Sequence, residues 1–265
     1  MIISTIASHS SLQILLGAKE EGFRTRLYVK PDRRAFYAST RLADELIVTE
    51  DMGVILDDGG IVIPHGSFVA YLGLEGIEKA KARFFGNKRF LKWETTFELQ
   101  DKALDEAGIP RVQVVESGEI EPDELYFVRI EGPRGGSGHF IARGEELEEK
   151  LEGLKEPHRI EEFVPGVYLY VHFFHSPILG RLELLGVDER VVIADGNARW
   201  PVKSLPYTIA GNVGVALRES LLPRLYDYGL AFVEAMKKLE PPGIIGPFAL
   251  HFVYDGSFRS VGFAS

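Results

Sequence analysis

A glycine-rich loop between two strand-like segments limits the choice of folds for this chain. Gly132, Gly135, Gly136 and Gly138 lie close together in the run LYFVRIEGPRGGSGHFIAR. Glycine lets backbone N–H groups wrap around an anion because no Cβ blocks their approach. A P-loop would continue with Lys and Ser or Thr, and a dinucleotide-binding loop would open a helix. Here a second strand, HFIAR, follows, so the pattern predicts a strand–loop–strand flap over a triphosphate. The alternative is an ordinary glycine-rich hairpin turn.

Two arginines add positive charge to this loop. Arg129 lies on the strand that enters it, and Arg134 lies inside it. Guanidinium groups at these positions can neutralise phosphate oxygens. The alternative is that both side chains are simply solvated.

The segment HRIEEFVPG, which follows an acidic helical run, is a candidate hinge between two lobes. An adenine ring needs one backbone donor and one backbone acceptor along an extended strand, together with apolar walls. Residues 162–164 could supply these groups. Taken alone, the segment also fits an ordinary edge strand.

The order of elements favours an α/β protein. Residues 1–7 and 26–30 read as strands on either side of a helix. Two short apolar strands, LADELIVTE and GGIVIPHGSF, follow, which predicts a small parallel sheet. Residues 88–108 read as one helix. The later runs VQVVE, ELYFVRIEG, HRIEEFV, VYLYVHFFH, RLELLGVDE and RVVIAD read as antiparallel strands. A long helix with Pro223 in its first turn and a hairpin with an Asp255-Gly256 turn complete the chain.

Composition excludes several classes of protein. Apolar residues make up 45% of the chain, which is enough for a sizeable core, and the formal net charge of −9 disfavours a nucleic-acid surface. The chain has no cysteine, so disulfides and thiolate metal sites are excluded and a reducing interior is the natural setting. We find no signal peptide and no apolar window of roughly 20 residues, and we expect a cytoplasmic protein with no membrane contact. We also expect the natural chain to continue beyond Ser265, because it stops just after an apolar strand.

Seven motifs in order resemble the PurP family of the ATP-grasp superfamily. They are SHSSLQILLGAKEEGF, IVIPHGSFVAYLG, FFGNKRFLKWE, GPRGGSGHFIA, IEEFVPG, GNVGVALRESLLP and PPGIIGPFAL. The resemblance implies an α/β ATP-grasp fold. Residues 1–85 would form a small N-terminal parallel α/β (preATP-grasp) domain. Residues 86–265 would form an ATP-grasp domain of two α+β lobes, incomplete at its C-terminal end.

The resemblance also implies an activity. The PurP family is an archaeal family of ligases in purine (IMP) biosynthesis. Its members formylate aminoimidazole carboxamide ribonucleotide (AICAR) to FAICAR with ATP and formate, by way of formyl phosphate. The implied cofactors are ATP and Mg²⁺, the implied partners are these small molecules, and a homo-oligomer is expected. The alternatives are a nucleotide-binding paralogue with a regulatory or assembly role, and another carbon–nitrogen ligase of the superfamily.

Carried over by position, the resemblance assigns binding residues but no catalytic side chain and no metal ligand. His9, Ser67 and Asn212 would contact the AICAR-type ribonucleotide, although each taken singly would fit a capping or turn residue. The implied ATP-binding residues are Arg129, Arg134, Gly135, Gly136, Ser137, Gly138, His139, Glu161, Glu162, Phe163 and Val164.

The chain departs from the family where metal ligands are expected. Two carboxylates on the terminal hairpin would normally hold Mg²⁺, and these positions match His251 and Gly262. Arg129 stands where a lysine is usual, and a further acidic position falls near Val192. Histidine is a poor Mg²⁺ ligand because this ion prefers hard oxygens, and His251 also fits a hydrogen-bonded core histidine.

Overall fold

A computed structural model describes residues 1–8, 10–132, 138–193, 204–206 and 208–264. The chain divides into two compact units. The first takes in Met1–Lys92 and Ile244–Gly246, and the second takes in Trp93–Gly243 and Pro247–Ala264. The domain boundary predicted between residues 85 and 86 stays a prediction.

The first unit is built on a parallel sheet, as the sequence predicts. Its strands are β1 (Ile2–Ile6), β2 (Arg24–Val29), β3 (Glu45–Val48), β4 (Ile61–Val62) and β5 (Arg83–Phe84), in the order β3-β2-β1-β4-β5. Every recorded pairing between these strands is parallel. The carboxyl ends of β1 and β4 therefore lie at the same edge of the sheet, each followed by a loop that leads to a helix.

The helices of the first unit are α1 (Ser11–Glu20), α2 (Arg34–Thr40) and α3 (Ser67–Lys79). Gly22 follows α1 with φ +77° and donates to the carbonyl of Lys19, so this helix ends in a left-handed turn. Helix α3 was not predicted. The run GGIVIPHGSF was expected to be a strand, but β4 covers only Ile61–Val62 and Ser67 begins the helix.

The second unit contains two antiparallel sheets. The strands are β6 (Leu125–Ile130), β7 (Phe140–Arg143), β8 (His158–Glu162), β9 (Val167–Ser176), β10 (Arg181–Ile193), β11 (Ser204–Pro206), β12 (Thr208–Gly214), β13 (Gly246–Tyr254) and β14 (Phe258–Ala264). One sheet has the order β12-β10-β9-β13-β14 and the other has the order β11-β7-β6-β8. The helices are α5 (Phe97–Glu106), α6 (Gly144–Leu151) and α7 (Leu222–Leu239), and α4 (Leu91–Thr95) lies where the chain passes from the first unit to the second.

Three sequence predictions for the second unit were wrong. Residues 88–108 do not form one helix, because Thr96 is extended (φ −119°, ψ 124°) and separates α4 from α5. The run VQVVE forms only an isolated bridge, between Val114 and Glu161. RLELLGVDE and residues 190–193, the described part of RVVIAD, belong to one continuous strand, β10. By contrast, the terminal hairpin and α7 with Pro223 in its first turn are confirmed.

Helix α7 packs through one apolar stripe. Its buried positions recur at helical spacing, as in Leu225, Gly229 and Phe232. The Phe232 and Phe173 rings both pack on Phe248, with centroids 5.9 and 5.1 Å away. This aromatic core lies on one face of the sheet that contains β9 and β13, so the opposite face is left for polar side chains.

Candidate functional site

The glycine-rich loop joins two paired strands, as predicted. β6 and β7 are antiparallel, with Val128 opposite Phe140, and α6 begins only at Gly144. Gly132 and Gly138 have φ values of +106° and +89°, which L side chains rarely adopt. The connection is therefore strand–loop–strand rather than a loop that opens a helix. Of the residues predicted here, Arg134, Gly135, Gly136 and Ser137 lie outside the described residues, as does His9.

His139 closes this loop as a neutral imidazole. Its Nε2 lies 3.2 Å from the carbonyl oxygen of Ile130, to which a neutral ring can donate. Burial, and then the charge of Arg129, lower the pKa of His139 from 6.5 to about 4. At neutral pH this ring therefore fixes the base of the loop and adds no charge to it.

Arg129 is held in place by several partners within the second unit. Its Nη1 donates to Glu161 Oε1 at 3.2 Å and to the carbonyl oxygen of Val261 at 2.6 Å. Glu161 also receives Arg159 Nη2 at 2.6 Å, and its side chain is only 1% exposed. Both guanidinium groups lie over the ring of Phe97, at 5.5 Å for Arg129 and 4.4 Å for Arg159. Glu161, predicted to bind ATP, is thus the counter-charge that orients two arginines.

The break before α5 explains the position of Phe97. Its backbone N–H donates to Glu131 Oε1 at 2.8 Å, which caps the start of the helix from outside. In a continuous helix through residues 88–108, the Phe97 N–H would bond within the helix instead of donating to Glu131. The interruption that sequence periodicity missed is therefore part of how the arginine pair is supported.

The predicted adenine-binding stretch has fewer free donors than expected. The Glu162 N–H donates to the carbonyl of Gln113 at 2.9 Å, and the Phe163 N–H donates to that of Leu125 at 3.2 Å. The Glu162 side chain accepts from Arg259 Nη1 at 3.0 Å. Among the described residues of this stretch, the backbone N–H of Val164 is the donor that could bind an adenine base. Val164 is buried.

A polar cluster on one face of the other sheet was not predicted as a group. We call it the sheet-face cluster, and its members are Tyr170, His172, Asp188, Arg190, Asn212 and His251. They lie on adjacent strands, and the even-numbered residues of β9 are half-buried while the odd-numbered ones are mostly buried. The sequence signal that could have revealed the cluster is this alternation along β9, whose period of two places Tyr170 and His172 on the same face.

Contacts within the sheet-face cluster orient Asn212. Arg190 lies over the Tyr170 ring, with its Cζ 3.9 Å from the centroid, and its Nη1 donates to Asn212 Oδ1 at 2.5 Å. Because a guanidinium can only donate, this bond fixes the amide oxygen of Asn212 toward the arginine. The Asn212 Nδ2 group is thereby directed away from Arg190, and the residue is exposed.

Burial and neighbouring positive charges keep His251 neutral. Its ring lies 4.0 Å from that of Tyr170. Burial, followed by the positive charges of Arg190, Arg129 and His172, lowers the pKa of His251 well below its ordinary value. His172 is itself paired with Asp188, with 2.6 Å between Nε2 and Oδ2. His251 thus offers a neutral imidazole where the family is expected to offer a carboxylate.

The residues present do not fit a protein-held Mg²⁺ on the terminal hairpin. His251 and Gly262 are cross-strand partners, and neither supplies a carboxylate oxygen. Across the described part of the chain, no three His, Asp or Glu side chains come together in a way that could hold a metal ion. The side chain at position 192 lies outside the described residues.

Ser67 lies at the carboxyl edge of the parallel sheet in the first unit. It begins α3, and its N–H donates to His65 Nδ1 at 3.3 Å. His65 is buried, and its Nε2 lies 3.0 Å from the Ile6 carbonyl and 3.2 Å from Ser8 Oγ. The loops after β1 and β4 are therefore joined through His65, which brings Ser8, the neighbour of His9, to the start of α3.

The fold and the site define the class of protein. A parallel α/β unit precedes a unit with a glycine-rich strand–loop–strand and two antiparallel sheets, and this is the ATP-grasp arrangement. A solved structure of purK, an N5-carboxyaminoimidazole ribonucleotide synthetase in complex with ADP, has the same fold. It is 18% identical, with a TM-score of 0.72 over 99% of this chain and 69% of that chain.

More similar proteins identify the family. The 5-formaminoimidazole-4-carboxamide-1-(beta)-D-ribofuranosyl 5'-monophosphate synthetase of Sulfolobus acidocaldarius is 40% identical over 96% of this chain and 82% of its own length. The crystal structure of an IMP biosynthesis protein PurP from Thermococcus kodakaraensis is 71% identical, with a TM-score of 0.87 over 99% of this chain and 84% of that chain. Two family models, a protein of unknown function (DUF1246) and a domain of unknown function (DUF1297), match residues 3–115 and 147–264. The chain belongs to the PurP family of ATP-grasp ligases.

The structure contains no helix, among the residues it describes, that is long and apolar enough to cross a membrane.

Proposed function

We propose that this chain catalyses the ATP- and formate-dependent formylation of AICAR to FAICAR. The observation that carries the proposal is the glycine-rich strand–loop–strand with its fixed Arg129. It occurs in a chain that is 40% identical, over 96% of its length, to a protein named for making this product.

The reaction consists of two balanced steps. An oxygen of formate attacks the γ-phosphorus of ATP, the bond to the bridging oxygen breaks, and ADP leaves. The amine of AICAR then attacks the carbon of the formyl phosphate, phosphate leaves, and the nitrogen loses one proton. Neither step needs a covalent bond to the protein, so the work of the side chains is to position the reactants and stabilise phosphate charge. No step is assigned to Mg²⁺, because the residues of the hairpin do not fit it.

We assign roles on the geometry of the described residues. Arg129 faces the phosphates from β6, and the Val164 N–H meets the adenine. Asn212 presents its Nδ2 group to the carboxamide or a hydroxyl of the ribonucleotide, since its oxygen is held by Arg190. Ser67, at the start of α3, offers a hydroxyl to the ribonucleotide phosphate, which the N-terminus of a helix attracts. The remaining predicted ligands keep their proposed roles: His9 with the ribonucleotide, and Arg134, Gly135, Gly136, Ser137, Gly138, His139, Glu161, Glu162 and Phe163 with ATP.

A cytoplasmic location and a homo-oligomeric assembly belong to the same proposal. Sedimentation velocity of the purified chain tests the assembly, and a single species of 29.6 kDa would contradict it.

Isotope-labelled formate tests the reaction. With ATP, AICAR and ¹³C-formate together, we expect ADP, phosphate and FAICAR in equal amounts, with the label in the formyl group. Omitting any one substrate should abolish product. ADP release that does not depend on formate and AICAR would contradict the assignment, and nucleotide binding without any formyl transfer would favour the non-catalytic alternative.

The role of Asn212 has a matched control on the same strand. Asn212→Ala should lower kcat/KM for AICAR by roughly tenfold or more, because the ribonucleotide loses a directed hydrogen bond. Val213→Ala removes an exposed side chain from the opposite face of β12 and should change kcat/KM by no more than about twofold. Equal effects of the two substitutions would contradict the proposed contact.

A further inference from the structure

Arg129 and Gly262, which stand where the resemblance to the family implies a lysine and a carboxylate, lie next to each other in the structure. Arg129 on β6 donates through Nη1 to the carbonyl of Val261, the residue before Gly262. A Cβ built on Gly262 would lie 3.4 Å from Arg129 Nη2 and 3.2 Å from Gln100 Oε1. The guanidinium therefore stands over the position from which a carboxylate side chain would grow. The arginine and the glycine form one structural change rather than two.

The backbone reinforces this arrangement. Gly262 has φ +137°, a conformation that L side chains rarely adopt, so any side chain there is strained even before it meets the arginine. A lysine at position 129 would carry a single nitrogen, whereas the guanidinium bonds Val261 and Glu161 through Nη1 and also places Nη2 beside Gly262. Arg129 and Gly262 thus support each other, and the side chain of Arg129 is only 13% exposed.

Without a carboxylate at position 262, the Arg129 charge dominates this part of the hairpin. A fixed guanidinium at hydrogen-bond distance from the hairpin attracts phosphate oxygens and repels a divalent cation at the same place. The nearby carboxylates are already paired, Glu161 with two arginines and Asp188 with His172. His251, the strand partner of Gly262, adds a neutral ring and no oxygen.

We propose that this chain binds the phosphates of its nucleotide through Arg129 directly, without a divalent cation held by the terminal hairpin. The inference rests on the proposed function, because it places the nucleotide phosphates beside Arg129. It goes further in specifying that metal-free nucleotide is a full ligand of the site.

Calorimetry on the full chain, with ADP and a non-hydrolysable ATP analogue, tests the proposal. Each is titrated once in EDTA and once in millimolar MgCl₂. We expect the two Kd values to agree within about threefold for each nucleotide. A Kd lower by roughly tenfold or more in MgCl₂ would overturn the inference and leave the proposed formylation standing. Absence of nucleotide binding in both media would overturn both, whereas metal-independent binding without formyl transfer would overturn the formylation alone.

A double substitution tests whether positions 129 and 262 act as one unit. Arg129→Lys with Gly262→Glu removes the guanidinium beside position 262 and supplies a carboxylate there. This double variant should bind nucleotide at least about tenfold tighter in MgCl₂ than in EDTA. Gly256→Glu is the matched control, since it adds the same charge on the same hairpin at another glycine of positive φ with open space around its Cβ. This control should bind equally in both media. If Gly256→Glu gained the same response to magnesium, general charge rather than the site would be responsible and the inference would fail.

Circular dichroism establishes that each variant is folded before it is titrated. If the double variant does not fold, Arg129→Lys alone should weaken binding in EDTA, and unchanged binding would contradict the role of the guanidinium.

Discussion

The environment of a single side chain decides its charge in this protein, and His139 is the clearest case. Sequence reasoning placed it beside the glycine-rich loop as a ligand of ATP. The structure places its ring 5.8 Å from that of Phe127 and next to Arg129, where burial and a like charge both oppose protonation. His139, which the motif alone suggested as a ligand of ATP, is thus a neutral hydrogen-bonding group in the folded chain.

The depressed pKa of His139 makes stability depend on pH. The unfolded chain binds a proton at this residue below about pH 6.5, whereas the folded chain does so only near pH 4. The free energy of unfolding should therefore fall as pH drops through this window. His139→Gln should reduce the loss between about pH 7 and about pH 5 by roughly 1 to 2 kcal/mol, measured by urea unfolding. An identical loss in native chain and variant would contradict the assignment.

At the scale of elements, the packing of α7 shows how a helix tolerates a glycine in its interior. Gly229 lies in the buried stripe, and a Cβ there would come within 2.7 Å of Phe173 Cε1 and 3.0 Å of Leu182 Cδ2. Phe173 is fully buried and stacks on Phe248, so it has little room to move. Glycine at this position is required by close contact between helix and sheet, although it costs helix propensity.

Two glycine-to-alanine substitutions separate these effects. Gly229→Ala gains about 1 kcal/mol of helix propensity but overpacks a rigid core, and we expect a net loss of roughly 1 to 2 kcal/mol. Gly17→Ala in α1 gains the same propensity where nothing lies within 4 Å of the new Cβ, and it should stabilise the chain by up to about 1 kcal/mol. Chemical denaturation of both variants measures the difference, and a stabilising Gly229→Ala would refute the packing argument.

At the scale of the whole molecule, the protein is acidic but its proposed ligands are anions. The formal net charge of −9 gives no general attraction for a nucleotide. Local groups must therefore supply it, and Arg129 on β6 is the cation to which we assign this role. The net charge of the chain therefore disfavours anionic partners in general, and binding of a nucleotide requires a local cation at the site.

Ligand binding should be visible in the stability of the whole chain. At about 100 times its Kd, ADP should stabilise the folded state by roughly 2.7 kcal/mol and raise the Tm, whether or not magnesium is present. Adenosine has the same base but no phosphate for Arg129, and it should raise the Tm less at equal concentration. Differential scanning calorimetry compares the two ligands. An equal shift with both would mean that the phosphates contribute nothing.

Patterns that are local in sequence could be predicted. The strand–loop–strand around the glycines, the hairpin at Asp255-Gly256 and the long helix after Pro223 each depend on turn chemistry or periodicity within a few residues. The break at Thr96 and the helix at Ser67 could not be predicted with the same means. The break depends on the Glu131 carboxylate, which caps Phe97 from 34 residues away. The helix start depends on the His65 ring, which accepts from Ser67 and is itself held by Ile6 and Ser8, 59 and 57 residues away.

By itself the sequence determined the class of fold and the family, because glycine spacing, strand alternation and the order of motifs can be read along the chain. Only the tertiary structure decided what those residues do together. Arg129 and Gly262 read as two unrelated departures in the sequence, and Asn212 has no visible partner there. Folding places a guanidinium over the glycine and another against the amide, since side-chain contacts between strands depend on register and packing rather than on order along the chain.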